Sequence, residues 1–75
     1  MKRWIVKSGD LTGEEPIEAL DMEHALVGAI LTWRPKHLGI LAEVVEVDKV
    51  GDDNHTYWIK VDRILRDYGV WGKVP

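Results

Sequence analysis

Apolar and polar positions along this chain repeat with two different periods, and the periods mark out the elements. Residues 3–8 (Arg3-Trp4-Ile5-Val6-Lys7-Ser8) are rich in β formers and stop at Gly9-Asp10, which predicts a strand. Trp4 and Val6 fall on one face of it, and Arg3, Ile5 and Lys7 on the other. Residues 9–16 are turn-like. The stretch Pro16-Ile17-Glu18-Ala19-Leu20 admits two readings. One is a short second strand forming a hairpin with the first. The other is a helix starting at Thr12, because Thr12-x-x-Glu15 matches a capping box and Pro16 fits a first helical turn. The pattern favours the strand.

Residues 21–34 predict a helix. Asp21 is a good N-cap, and Met22, Ala25, Leu26, Ala29, Ile30 and Trp33 form one apolar stripe. Pro35 stops it, and Arg34 suits its negative end. Val27 and Leu31 add a second apolar edge, so cover on more than one side is expected. Gly28 in mid-helix costs about 1 kcal/mol against alanine unless something packs closely there. Residues 38–50 then read as a long strand, Gly51-Asp52-Asp53-Asn54 as a turn, and residues 55–61 as the returning strand. Asp62 is placed to cap a short helix over Arg63–Tyr68, with Gly69 as its C′ residue and an irregular tail after it.

The order is ββαββα. The expected fold is a small single α+β domain: an antiparallel sheet packed on one main helix, with a short C-terminal helix. Both halves run hairpin then Asp-capped helix, without a residue-level repeat that would mark a duplication.

Composition adds a constraint. Chains under roughly 70–80 residues usually need a disulfide, a metal or a partner subunit to supplement the core. This chain has 75 residues and no Cys, which excludes disulfides, thiolate zinc sites and cysteine nucleophiles. Partner association is the leading remaining staple. Four Trp, two Tyr and no Phe point the same way, because Trp is enriched at binding hot spots. No apolar run reaches the roughly 18 residues of a membrane span, and no apolar signal-peptide core follows Met1-Lys2-Arg3-Trp4. The expectation is a non-membrane, cytoplasmic protein.

The strand faces sharpen that expectation. Trp4, Val6, Ile40, Ala42, Val44, Tyr57, Ile59 and Val61 make the side packed on the main helix. The opposite side holds Ile5, Leu41, Val45, Val47 and Trp58 among Arg3, Lys7, Glu43, Thr56 and Lys60. A face open to water should read mostly polar, and this one does not. Three arrangements fit: the C-terminal helix covers it through Ile64, Leu65 and Tyr68 with help from Trp71; a partner or second copy covers it; or the strand register is shifted and the faces exchange.

Catalytic and metal signals are weak. Ser8 stands beside Gly9 and Asp10 with no nucleophile-elbow motif around it and reads as a turn serine. His24, His37 and His55 lack metal-motif spacing, and residues 48–54 lack the spacing and terminal Glu of a calcium loop. The readings are no enzyme, no metal and no cofactor. Charge is uneven: Asp10, Glu14, Glu15, Glu18, Asp21 and Glu23 crowd one stretch free of Lys and Arg, an acidic edge open to a basic partner. Arg34, Lys36, Arg63 and Arg66 would form a basic contact with Trp58 as a stacking platform if folding gathered them. The formal net charge of −3 and the lack of a nucleic-acid-binding motif speak against that use.

Four stretches carry a family resemblance: Ser8-Gly9-Asp10-Leu11 after the opening strand, the Ala-containing helix after Asp21, Leu38-Gly39-Ile40-Leu41, and the closing Tyr57, Ile64-Leu65 and Gly69. Together they resemble small uncharacterised proteins encoded by tailed bacteriophages, particularly marine ones. The resemblance implies a viral or environmental origin, and with it the cytoplasm of a bacterial or phage-infected cell. It implies no activity and transfers no functional residue.

The reading that follows is a non-enzymatic protein-interaction module acting as a homo-oligomer, with Ile5, Leu41, Val45, Val47, Trp58 and Trp71 as its contact surface. The alternative is a nucleic-acid-binding accessory protein using Arg34, Lys36, Trp58, Arg63 and Arg66.

Overall fold

The computed structural model describes residues 1–70. The first strand, β1 (Lys2–Ser8), lies inside the sheet with partners on both edges. On one edge its C-terminal end pairs with β2 (Leu11–Thr12) and its N-terminal end with β3 (Ile17–Ala19). These two short strands act as one antiparallel partner interrupted at 13–16, where Gly13 lies against the Ile5 and Lys7 side chains. The ambiguous 16–20 segment is therefore a strand. The buried Trp4 indole pins it, donating Nε1–H to Ala19 O at 3.1 Å.

Helix α1 (Met22–Trp33) follows. Asp21 caps it by accepting the His24 backbone N–H at 2.9 Å. Ala25, Leu26, Ala29 and Ile30 from the predicted stripe are fully buried against β3, β1 and the next strand. Arg34 ends the helix in the left-handed region at φ 46°, and its N–H bonds Ile30 O. The helix thus crosses over β1, and β4 (Leu41–Glu46) pairs antiparallel with the other edge of β1. A short 3-10 turn at Val47–Lys49 and another at Asp53–His55 lead into β5 (Thr56–Lys60), the last strand of the sheet.

Helix α2 (Val61–Tyr68) starts directly from β5, with Lys60 rather than Asp62 as its N-cap. The reason is tertiary. Val61 is buried, and its N–H donates to Ile40 O at 3.0 Å, so the chain stays tied to the sheet up to the first helical residue. Gly69 closes the helix at φ 59°, the left-handed C′ position the sequence assigns to it.

There is one core cluster. It joins Trp4, Val6, Ala42, Val44 and Ile59 of the sheet to the buried stripe of α1 and to Val61 and Ile64 of α2. Both helices therefore sit on the same side of the sheet, and α2 does not cover the second face. Two further expectations are corrected. The long 38–50 strand is cut to six residues, and Ile40, expected in the core, is 86 % exposed, because it precedes the ladder that begins at Leu41.

The approach to β4 is held by a latch from the end of β1. Ser8 Oγ, buried, donates to Leu41 O at 3.0 Å and accepts Gly39 N–H at 2.9 Å. Asp10 N–H donates to His37 O at 2.9 Å, and Asp10 Oδ2 accepts His37 N–H at 3.1 Å. Gly9 sits between them at φ 54°, where any Cβ would run into the His37 carbonyl and the Leu38 backbone. Two of the four short stretches quoted from the sequence, Ser8–Leu11 and Leu38–Leu41, thus dock on each other.

Candidate functional site: the sheet face opposite the helices

Register fixes how the second face is built. Lys7, Glu43 and Trp58 lie in one cross-strand row, Ile5, Val45 and Thr56 in the next, and Leu41 beside Lys60 at the end of the hairpin. Directly opposed side chains of adjacent strands sit about 5 Å apart, so these rows form a continuous surface. Trp58 is 62 % exposed and Leu41 44 %, while Ile5 and Val47 are half-buried. Val45, between Ile5 and Thr56 in the same row, is 3 % exposed and so offers little contact area as it stands. Trp71 lies outside the described residues. On the helix side, Tyr57 at 38 % exposed leans toward Trp4, with ring centroids 6.4 Å apart.

The basic residues are not gathered. Arg34 and Lys36 follow the C-terminal end of α1, whereas Arg63 faces Glu23 in its first turn. Eleven residues of helix separate those ends by about 16 Å. Arg63 is also engaged: its guanidinium donates to Glu23 Oε2 at 2.6 Å and to Asp67 Oδ2 at 3.4 Å. Arg66 is exposed on α2.

Around Glu23 the two helices are tied by polar contacts that the linear pattern does not announce. Tyr68 Oη donates to Glu23 Oε1 at 2.9 Å, and the Tyr68 and His24 rings form a T-shaped pair at a centroid distance of 5.9 Å. The hydrogen bond from Arg63, and then that from Tyr68, hold the Glu23 carboxyl below its ordinary range. The same bond pushes the Tyr68 phenol up. The residues on the two sides of this cluster are forty or more positions apart, and only the helix packing brings them together.

Other candidates resolve into local structure. The Ser8 hydroxyl proton is committed to Leu41 O within the latch. His24 Nδ1 lies 2.9 Å from Asp21 Oδ1 at the head of α1, and His55 Nδ1 lies 2.7 Å from Asp52 Oδ2 beside β5. The His24 backbone N–H, then its ring, lowers the Asp21 carboxyl pKa; the His55 ring, then Asn54 N–H, lowers that of Asp52. Among the described residues no three His, Asp or Glu side chains converge as metal ligands. Part of the acidic edge (Asp10, Glu14 and Glu15) rims an open depression of about 410 Å³ that also meets Leu11 and Trp33. No described helix is long and apolar enough to cross a membrane.

Comparison with protein-family models, with curated proteins and with solved structures finds no match for this chain.

Proposed function

We propose that this chain is a non-enzymatic protein-interaction module that works as a homo-oligomer, with the sheet face opposite both helices as its contact. One observation carries the reading: Trp58, 62 % exposed, stands with Leu41 on the face opposite both helices. Leaving a tryptophan and a leucine in water on a chain this small forgoes burial worth about 25 cal/mol per Å² of apolar surface. A partner surface recovers it. Ile5, Val47 and the buried Val45 between Ile5 and Thr56 extend the same apolar strip.

The test is the solution mass by size-exclusion chromatography with light scattering, on the wild-type chain and on Trp58→Ala. The expected result is a mass of two or more chains, with the substitution weakening association by a hot-spot amount, on the order of 2 kcal/mol. Its fold should be untouched, since the Trp58 side chain lies outside the core cluster. A stable oligomer that Trp58→Ala leaves unchanged removes this face from the contact.

A further inference from the structure

The open edge of β5 is self-complementary, and we infer that a second copy of this chain pairs with it, strand to strand, about a two-fold axis through Trp58. This deepens the homo-oligomer reading and rests on it.

The argument starts from which backbone groups point outward. Val61 N–H donates to Ile40 O, and the β4–β5 register continues that pairing as Ile59 with Ala42 and Tyr57 with Val44. In an antiparallel ladder alternate residues turn their backbone toward the neighbour. Val61, Ile59 and Tyr57 therefore face β4, and Thr56, Trp58 and Lys60 face away. Some of the outward groups are already used. Thr56 N–H bonds Asp53 O at the end of the preceding 3-10 turn. Lys60 C=O, as the N-cap, accepts the first bond of α2. What remains at the edge is Thr56 C=O, both groups of Trp58, and Lys60 N–H. Among the described residues β5 ends the sheet and nothing pairs with these groups.

That remainder matches itself in one register. With Trp58 opposite Trp58 of the second copy, each Trp58 N–H meets the other's C=O. Each Lys60 N–H then meets the other's Thr56 C=O. Every free group finds a partner, and no used group is asked for a second bond. A shift by one residue would set groups that face β4 against the edge.

Charge selects the same orientation. Asp52 and Asp53 precede β5, and Lys60 closes it with no acidic partner among the described residues. Antiparallel self-pairing sets Lys60 of one strand toward the acidic start of the other, whereas parallel pairing would set Lys60 beside Lys60. On the face opposite the helices the two Trp58 rings become cross-strand neighbours, with each Lys60 diagonal to the opposite indole, within cation–π reach. The apolar strips of the two copies then run on as one.

Proline at position 60 tests the edge without touching the ladder. Lys60 has φ −70°, which proline adopts, and Ile59 before it is extended, as a residue before proline must be. Lys60→Pro deletes an N–H that no group among the described residues accepts, and Lys60→Ala removes the same charge while keeping the N–H. Sedimentation equilibrium of wild type, K60P and K60A, with circular dichroism as the folding check, reads the dimer constant. Two symmetry-related bonds disappear in K60P, so its dissociation constant should exceed that of K60A by about 30-fold. In the wild type, amide exchange at Trp58 and Lys60 should slow as the concentration rises. A dimer in which K60P equals K60A, with Trp58 and Lys60 amides exchanging freely, overturns the edge pairing and leaves an oligomer through the face standing. A wild-type chain that stays monomeric to millimolar concentration overturns both readings.

Discussion

Ser8→Ala removes one oxygen atom from the latch between β1 and the approach to β4. The serine hydroxyl makes two bonds there, donating to Leu41 O at 3.0 Å and accepting from Gly39 N at 2.9 Å. Each net intramolecular hydrogen bond is worth about 1 kcal/mol. Water can reach the part-buried Gly39 once the hydroxyl is gone, so the penalty of fully orphaned groups does not apply in full. The expected loss is about 2 kcal/mol, near the sum of the two bonds. For a domain of this size that lowers the melting temperature by about 8–16 °C. Urea unfolding followed by Trp fluorescence measures it, with the buried Trp4 as reporter. The slope against denaturant should stay fixed while the midpoint moves. Amide exchange at Gly39 should quicken in parallel. A loss below about 0.5 kcal/mol, the lower bound for a single such bond, would refute the claim that this hydroxyl holds the two segments together.

Two further perturbations probe other parts of the chain. Gly28→Ala should stabilise the fold by about 0.5 kcal/mol in the same urea assay: the helix gains about 1 kcal/mol from losing a mid-helix glycine, and part of it is returned in strain. The strain is small because the new methyl would lie 3.1 Å from Ile17 Cδ1, the far end of a half-buried side chain; a net loss would mean that Ile17 cannot turn away. Glu23→Gln should leave the protein less stable than wild type at neutral pH, because Arg63 and Tyr68 bond the ionised carboxylate. Glu23 titrates below its ordinary 4.5 in the folded chain, so its contribution is complete above that value and is lost as pH falls through the lower folded value. Wild type and variant should therefore converge below pH 4.5, and a constant gap down to acid unfolding would contradict the assignment.

What could be read in advance was whatever short-range periodicity decides. The α1 stripe was legible because burial on one side of a helix imposes its own spacing, and Ala25, Leu26, Ala29 and Ile30 are the residues buried. The alternation in β1, β4 and β5 was legible for the same reason, and it named Trp58 as a residue of the second face before any fold was available. Features created by distant partners were not legible. Asp62 has the chemistry of an N-cap, yet α2 starts at Val61 because Ile40, twenty-one positions earlier, accepts the Val61 N–H. Ile40 itself, although its carbonyl accepts the Val61 N–H, stands one residue before β4 and is 86 % exposed. Whether α2 lay over the second face was undecidable from pattern, since Ile64 is apolar and buried under either arrangement. The β5 edge was equally hidden: which amides point outward depends on ladder phase, and side-chain type carries no trace of it.

The place of β1 bears on how the chain matures during synthesis. β1 leaves the ribosome ahead of every partner, yet it ends up with neighbours on both sides. One flank is matched almost at once, by β2 and β3 within the next dozen residues. The other has to wait until Glu46 has emerged, and until α1 has been laid across the sheet to bring β4 back. Throughout that interval the nascent chain carries a row of unmet amides next to Ile5 and Val6, which is the kind of template that recruits a neighbouring copy on a polysome. Slower emergence of the segment between Ala19 and Glu46 would lengthen the exposure and faster emergence would shorten it, so the yield of this small domain should depend on how quickly β4 reaches β1.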